Sequence, residues 1–360
     1  MWCWEFEDWP EFRCDKTLFW KYEADFFKNA GLLIGFFESM NEEAQADLKL
    51  RIMLDEAIST SKIEGEILER SSVQSSICRE LGLKNDTTAK TPQERGIGKL
   101  MRYNFLNFNE PLSESMLQRM NGLLWDVDAK PFRTQAMNIV SGRIDNPSIH
   151  FQAPPADRIE QEMKRYCAWF NSCNRIECMP ATLRASIAHL YFVIIHPFED
   201  GNGRIARSLA EKALSQRIKH PCLIALSTTI EKHRKAYYDM LASTNYTLDV
   251  SEWALFFSKL ILEAQQNSLQ KVKFILQESK LFQKFGTQLN ERQKKCIRRL
   301  FKAELGGGFV GGLSTSNYVS ITQTSNATAT RDIAQLVQLG ILSKVGVSKS
   351  TRYFLSKMPE

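Results

Sequence analysis

Apolar residues recur at intervals of three and four over most of this 360-residue chain, the spacing that gathers them on one face of a helix. Up to residue 83 the pattern predicts long helices, with Leu32, Leu33, Phe36 and Phe37 as one example. Ahead of them stand Trp2, Trp4, Trp9 and Trp20, whose rings are expected to pack rather than bind a ligand. The polar run 84–93, KNDTTAKTPQ, breaks the periodicity and reads as a loop. Helical spacing then returns as far as residue 265. One stretch interrupts it: 138–155, NIVSGRIDNPSIHFQAPP, places β-branched residues around a Gly and an Asn-Pro turn and predicts a β-hairpin. Leu183, Ile187, Leu190, Tyr191 and Ile194 mark a helix that Pro197 must stop, and Ile205, Leu209 and Leu214 mark the next.

A long charged helix over 250–283 leads into the C-terminal part. There the pattern predicts helices over 290–305, 314–322 and 327–339, then short alternating strands over 341–345 and 351–355 around the turn GVSKS. Three helices and a hairpin in this order predict a winged helix-turn-helix. The expected organisation is an N-terminal helical domain over 1–95, a second domain over 96–265, a linker helix over 266–285 and the winged helix over 286–360, mainly α throughout.

Composition narrows the classes. With 43% apolar and 24% charged residues the chain is an ordinary globular sequence. Its apolar runs, such as 190–195, fall far short of the roughly 20 residues that span a bilayer. The start, MWCWEFEDWPEF, is acidic and aromatic where a signal peptide is basic and then apolar, so the expected location is the cytoplasm, with no membrane. Eight cysteines show no Cys-x-x-Cys pair and read as reduced thiols, and Cys173, Cys178 and His189 fit no zinc spacing. Charge is uneven. Residues 271–360 hold fifteen Lys and Arg against five Asp and Glu, so the basic character sits at the C-terminus and points to an acidic partner there, DNA or protein. Gly306, Gly308 and Gly311, with Asp332 further on, satisfy a dinucleotide fingerprint, but they follow a basic helix rather than a strand and read as a loop.

The densest chemistry lies at 196–207, HPFEDGNGRIAR. Between two predicted helices, the N–H groups of Gly201, Asn202, Gly203 and Arg204 open a helix, where unpaired donors and the positive dipole end favour an anion. Glycines there let the main chain approach phosphate oxygens. Arg204 and Arg207, three apart, share a helix face and can hold successive phosphates. Asp200 offers a hard oxygen suited to Mg²⁺, and His196 titrates near neutrality and can take a proton from an attacking hydroxyl. Taken singly, each has a plain structural reading: Arg207 paired with Glu211, Asp200 as a helix cap, His196 as a charge at a helix end. His150, His189, His220 and His233 read as structural or incidental.

The run HPFEDGNGRIAR resembles the motif of the Fic family, HPFx(D/E)GNGRxxR, at every fixed position, and the likeness extends over almost the whole chain. It implies a Fic-type helical bundle in which the hairpin, with Val140, Ser141, Gly142 and Arg143, is a flap that aligns a target segment. It implies an enzyme that moves AMP from ATP to a Ser, Thr or Tyr hydroxyl of a protein, itself included, and releases pyrophosphate. His196 would be the base and Asp200 the Mg²⁺ ligand. Gly201, Asn202, Gly203, Arg204, Ile205, Ala206 and Arg207 would cradle ATP, with Tyr237, Tyr238 and Asn245 near the adenine and Phe198 as an anchor. Thr60, Glu64 and Gly65, in TSKIEG, are similar to the family's inhibitory pattern (S/T)xxxE(G/N), which implies that Glu64 pairs with Arg207 and holds the enzyme in check. Similar enzymes often dimerise. Removal of AMP, transfer of another phosphorus-containing group, and regulation of DNA through the winged helix are the alternatives.

Overall fold

A computed structural model describes residues 1–83, 90–143, 146–173, 179–305, 312–347 and 350–356, with the side chains of 139–150 and 302–305 outside that description. Gly306, Gly308, Gly311, Cys178 and the side chains of the flap residues and His150 therefore lie outside the described residues. The chain divides into two compact units, residues 1–269 and 270–360.

The first unit is built on helices. α1 (Trp20–Glu38), α2 (Glu42–Ile63), α3 (Arg70–Glu80), α4 (Pro92–Leu106) and α5 (Glu114–Leu124) come first. A hairpin follows, β1 (Asn138–Arg143) and β2 (Asn146–Gln152), antiparallel, with an irregularity between Ile139 and Val140. Then come α6 (Ile159–Ser172), α7 (Ala181–Ile195), α8 (Asn202–Ile218), α9 (Leu226–Lys232), α10 (Arg234–Thr244) and the long α11 (Ser251–Phe285). α7 is the axis. Nearly every one of its residues is buried, as expected for a helix that is apolar all round and enclosed on every side. α8, α6 and α1 pack on it, and Trp253 of α11 donates its indole N–H to the Ser186 carbonyl.

Two local readings change. Phe26, Ala30, Leu33 and Phe37 form the buried stripe of α1, so Leu33 and Phe37 enter the core while Leu32 is exposed. Trp4 and Trp9 are buried, and Trp9 donates to Glu162, but Trp20 is exposed and does not join them. The loop placed over 84–93 ends early as well. Thr91 caps α4 in a reciprocal box with Glu94, and Pro92 takes the first helical position, where its missing N–H costs nothing. The boundary placed near residue 95 falls in α4, which packs against α3, inside the first compact unit.

The second unit contains α12 (Glu291–Leu305), α13 (Thr315–Thr322), α14 (Asn326–Gln338) and an antiparallel pair, β3 (Leu342–Val345) and β4 (Arg352–Leu355). Ile297, Leu300, Phe301, Tyr318, Ile333 and Leu336 form its core. Asp332 serves this core: it accepts from Arg292 at 2.9 Å, Asn290 at 3.0 Å and the Tyr318 hydroxyl at 3.0 Å. Among the described residues no helix is long and apolar enough to cross a membrane.

Candidate active site

α7 and α8 carry the 196–207 motif between them. α7 stops at Ile195, and His196 leaves it in the left-handed conformation, φ 50° and ψ 59°. That backbone costs a residue with a Cβ about 1 kcal/mol, and such strain persists only where the surroundings impose it. His196 Nδ1 lies 3.2 Å from the Val193 carbonyl. A carbonyl only accepts, so Nδ1 carries the proton and Nε2 keeps its lone pair. Burial holds the imidazole pKa below the usual 6.5, assisted by the Arg133 guanidinium and opposed by the Val193 carbonyl, Glu64 and Asp200.

The loop after His196 is braced from within and from outside. Asn202 accepts from the Phe198 N–H at 3.0 Å and donates to the Phe198 carbonyl at 2.7 Å, while the Phe198 ring packs against Phe132 and Phe192. Asn121 of α5 donates to the Asp200 carbonyl at 2.8 Å. Gly201, at φ 89°, caps α8; a Cβ there would be strained and would crowd Asn121. Beyond it the first N–H groups of α8 have no helical acceptor, the arrangement that favours negative charge at a helix start.

Both arginines of the motif are buried, Arg204 3% and Arg207 1% exposed, which demands partners for their charge. The partners come from the end of α2. Arg207 donates Nε to Thr60 Oγ1 at 2.8 Å and Nη2 to the Thr60 carbonyl at 3.0 Å and Glu64 Oε1 at 2.7 Å. Arg204 donates Nη1 to Glu66 Oε2 at 2.6 Å and Nη2 to Asp200 Oδ1 at 3.3 Å, over the ring of Trp125. Two donors remain over: among the described residues, Arg204 Nε and Arg207 Nη1 are buried with no acceptor in hydrogen-bond geometry, although the Tyr237 hydroxyl is close to the Arg207 guanidinium. The Glu64 carboxylate lies so close to the start of α8 that a Cβ on Gly203 would collide with its Oε1. A carboxylate thus stands where the helix end and two guanidiniums converge.

The last turn of α2 is tied down. Ser59 shares a hydrogen bond with Thr228 of α9 at 3.0 Å, Glu56 accepts from the Ser227 N–H at 2.7 Å, and Arg234 and Tyr238 of α10 donate to the Ile63 carbonyl. Behind Arg207, Glu56 and Glu211 share a buried site where desolvation raises both carboxyl pKa values, Glu211 furthest because Glu56 adds repulsion.

Two of the plain single-residue readings are not what the structure adopts, whereas His196 does stand at the end of α7. Arg207 turns to α2 rather than pairing with Glu211, and Gly201 rather than Asp200 is the cap of α8. Tyr237 is fully buried, its hydroxyl 3.0 Å from His189 Nε2, and the charge of Arg207 acts on it. Asn245 ends α10, where its carbonyl accepts from the Cys3 N–H. Val140 to Arg143 pair along β1 with residues 146–149 of β2. Two participants escaped the sequence reading. Glu66 stood one residue beyond the inhibitory pattern, in E-G-E, where its charge was the available signal; Asn121 carried none.

A helical bundle with a hairpin beside a braced, anion-ready helix start defines the class: the Fic fold. Residues 111–214 match the Fic/DOC family model, and residues 2–83 match a domain of unknown function, DUF4172. Residues 111–214 are thus a Fic/DOC family domain. The chain is similar to the protein adenylyltransferase Fic of Culex quinquefasciatus, 34% identical over 96 residues, 27% of this chain and 18% of that one. Against protein adenylyltransferase fic-1 of Caenorhabditis elegans it is 29% identical over 110 residues, 30% and 20% of the two chains. The matched segments thus span about a fifth of these relatives. Among solved structures, a Fic family protein from Desulfovibrio desulfuricans G20 superposes with TM-score 0.55 at 19% identity, covering 98% of this chain and 99% of that one. The likeness in fold therefore includes both ends of the chain.

Proposed function

We propose that this protein transfers AMP from ATP to a Ser, Thr or Tyr hydroxyl of a protein, and that Glu64 and Glu66 hold it in check. The observation that carries this reading is the pair of buried arginines at the start of α8, with donors left over and carboxylates in the place of phosphates. A triphosphate offers the oxygens that Arg204 Nε and Arg207 Nη1 lack.

The hydroxyl oxygen attacks the α-phosphorus and the bond from that phosphorus to the bridging oxygen breaks, so pyrophosphate departs. His196 Nε2 takes the hydroxyl proton, and its depressed pKa keeps it neutral and able to do so. Arg204, Arg207 and the N–H groups of α8 hold the phosphates. Mg²⁺ takes one or two carboxylates and completes its shell with phosphate and water. Asp200, its carboxylate 59% exposed, would hold it, and the ion would neutralise charge on the phosphates.

With Glu64 on Arg207, that arginine is engaged and ATP lies in an unproductive pose. Intact mass after incubation with Mg²⁺ and ATP tests this. The Glu64→Gly chain should gain AMP several-fold faster than wild type and Glu64→Gly/His196→Ala should gain none; equal rates for wild type and Glu64→Gly would refute the brake, and a gain of phosphate alone would refute AMP transfer. A second reading rests on Glu64 standing beside the start of α8, where its charge reaches His196. There Glu64 aligns a water that releases AMP from a modified protein, an activity that Glu64→Gly should abolish. The order of α12, α13, α14, β3 and β4 supports a winged helix, with exposed Arg331 on α14 available to DNA or protein.

A further inference from the structure

Arg133 stands in the segment between α5 and β1, 3% exposed, and every hydrogen bond described for its side chain goes to a backbone carbonyl. Nε donates to the His196 carbonyl at 2.7 Å, and Nη2 to Pro154 at 2.6 Å and Ile195 at 3.4 Å. Nη1 donates to Gln135 at 2.7 Å, and the Arg133 N–H donates to the Pro197 carbonyl at 2.8 Å. Ile195 ends α7 and His196 caps it; carbonyls at such a helix end have lost their helical donors and carry the negative end of the dipole. Pro154 follows β2, and the Ala153 N–H donates to the Met137 carbonyl beside the start of β1. One planar fork therefore joins the left-handed turn at His196 to the base of the hairpin.

We propose that Arg133 is the positioning residue of the site: it fixes the His196 backbone in its left-handed turn and sets that histidine at a constant distance from the hairpin. The inference rests on His196 as the base and the hairpin as the aligner of the target. A flap presents a hydroxyl usefully only if the base stands at a fixed offset from it, and displacement by about 1 Å can cost 10²-fold in rate. Arg133 also opposes protonation of His196, alongside burial; the Val193 carbonyl, Glu64 and Asp200 act the other way.

Lysine keeps the charge and loses the fork; glutamine loses both. In the full chain carrying Glu64→Gly, Arg133→Lys should lower kcat by roughly 10²-fold with KM for ATP unchanged, since Asn121 and Asn202 still brace the phosphate loop. Guanidinium added to Arg133→Ala should restore part of the rate. In Arg133→Gln the acid limb of the pH profile should move up, because removing a cation raises the pKa of a nearby imidazole; in Arg133→Lys it should stay. A readout without catalysis runs beside these. The chain has five histidines, so NMR of histidine-labelled protein resolves His196, assigned with His196→Ala. Its resonance should shift in Arg133→Lys while the melting temperature shows the variant folded. A folded Arg133→Lys chain with an unmoved His196 resonance, or with kcat within twofold of its parent, overturns the inference. If the Glu64→Gly parent transfers no AMP, the proposed reaction fails separately and the resonance alone decides the role of Arg133.

Discussion

Two titrating centres in the first unit respond to pH in ways that can be read from their surroundings. His196 is held below 6.5, chiefly by burial, so a base in its neutral form persists into mild acid. In the Glu64→Gly chain kcat/KM should stay level from pH 8 down to about 6.5 and fall below that, as a pH profile of AMP incorporation will show. Glu211 behaves oppositely. Burial and Glu56 raise its pKa well above 4.5, so the folded chain binds a proton that the unfolded chain releases. Stability on this account is full below about pH 4.5 and declines as pH rises through the raised value. Glu211→Gln should flatten the fall in melting temperature as pH rises above about 4.5, and an unchanged slope would count against the buried proton. At this scale the sequence exposed the motif because so many polar types in twelve residues have few structural uses. It hid Asn121 and Arg133, since a single polar side chain looks the same in sequence whether it braces a buried turn or faces water.

At the scale of elements, the decisive pairing is α2 against α8. Thr60 on the last turn of α2 and Glu64 at its cap are one turn apart, as are Arg204 and Arg207 on α8, and the chain turn at Gly65 brings Glu66 to Arg204. Glu64→Gly alone leaves Arg204 engaged by Glu66. Glu66→Gln should therefore increase ATP affinity several-fold in the Glu64→Gly background, measured by titration calorimetry, and no difference between the single and double variants would show that Glu66 is spectator to the site. Periodicity alone gave the helices but not this pairing. The 143 residues that separate Glu64 from Arg207 carry no pattern that links them, and the contact was legible only through the resemblance of TSKIEG and HPFEDGNGRIAR to one family. Helix ends were less legible: the box at Thr91 and Glu94 moved the start of α4 into a stretch whose polarity had masked it.

At the scale of the whole molecule, the two compact units divide the work. Every side chain of the proposed transfer chemistry and its brake lies in residues 1–269, and the second unit has a core of its own around Ile297 and Leu336. A chain ending at residue 269 should unfold cooperatively by circular dichroism, and with Glu64→Gly should incorporate AMP within a few-fold of the full-length rate. Loss of folding would show that α11 must be whole. The brake itself sits at the C-terminal end of α2, whose last turn is held by Thr228, Arg234 and Tyr238 and by Arg207 itself. A local opening that breaks only those bonds costs less than global unfolding. Such a latch cannot be wholly silent: the wild-type chain should leak, at a rate set by how often one terminal turn opens, and whatever grips that turn acts as a throttle without touching ATP.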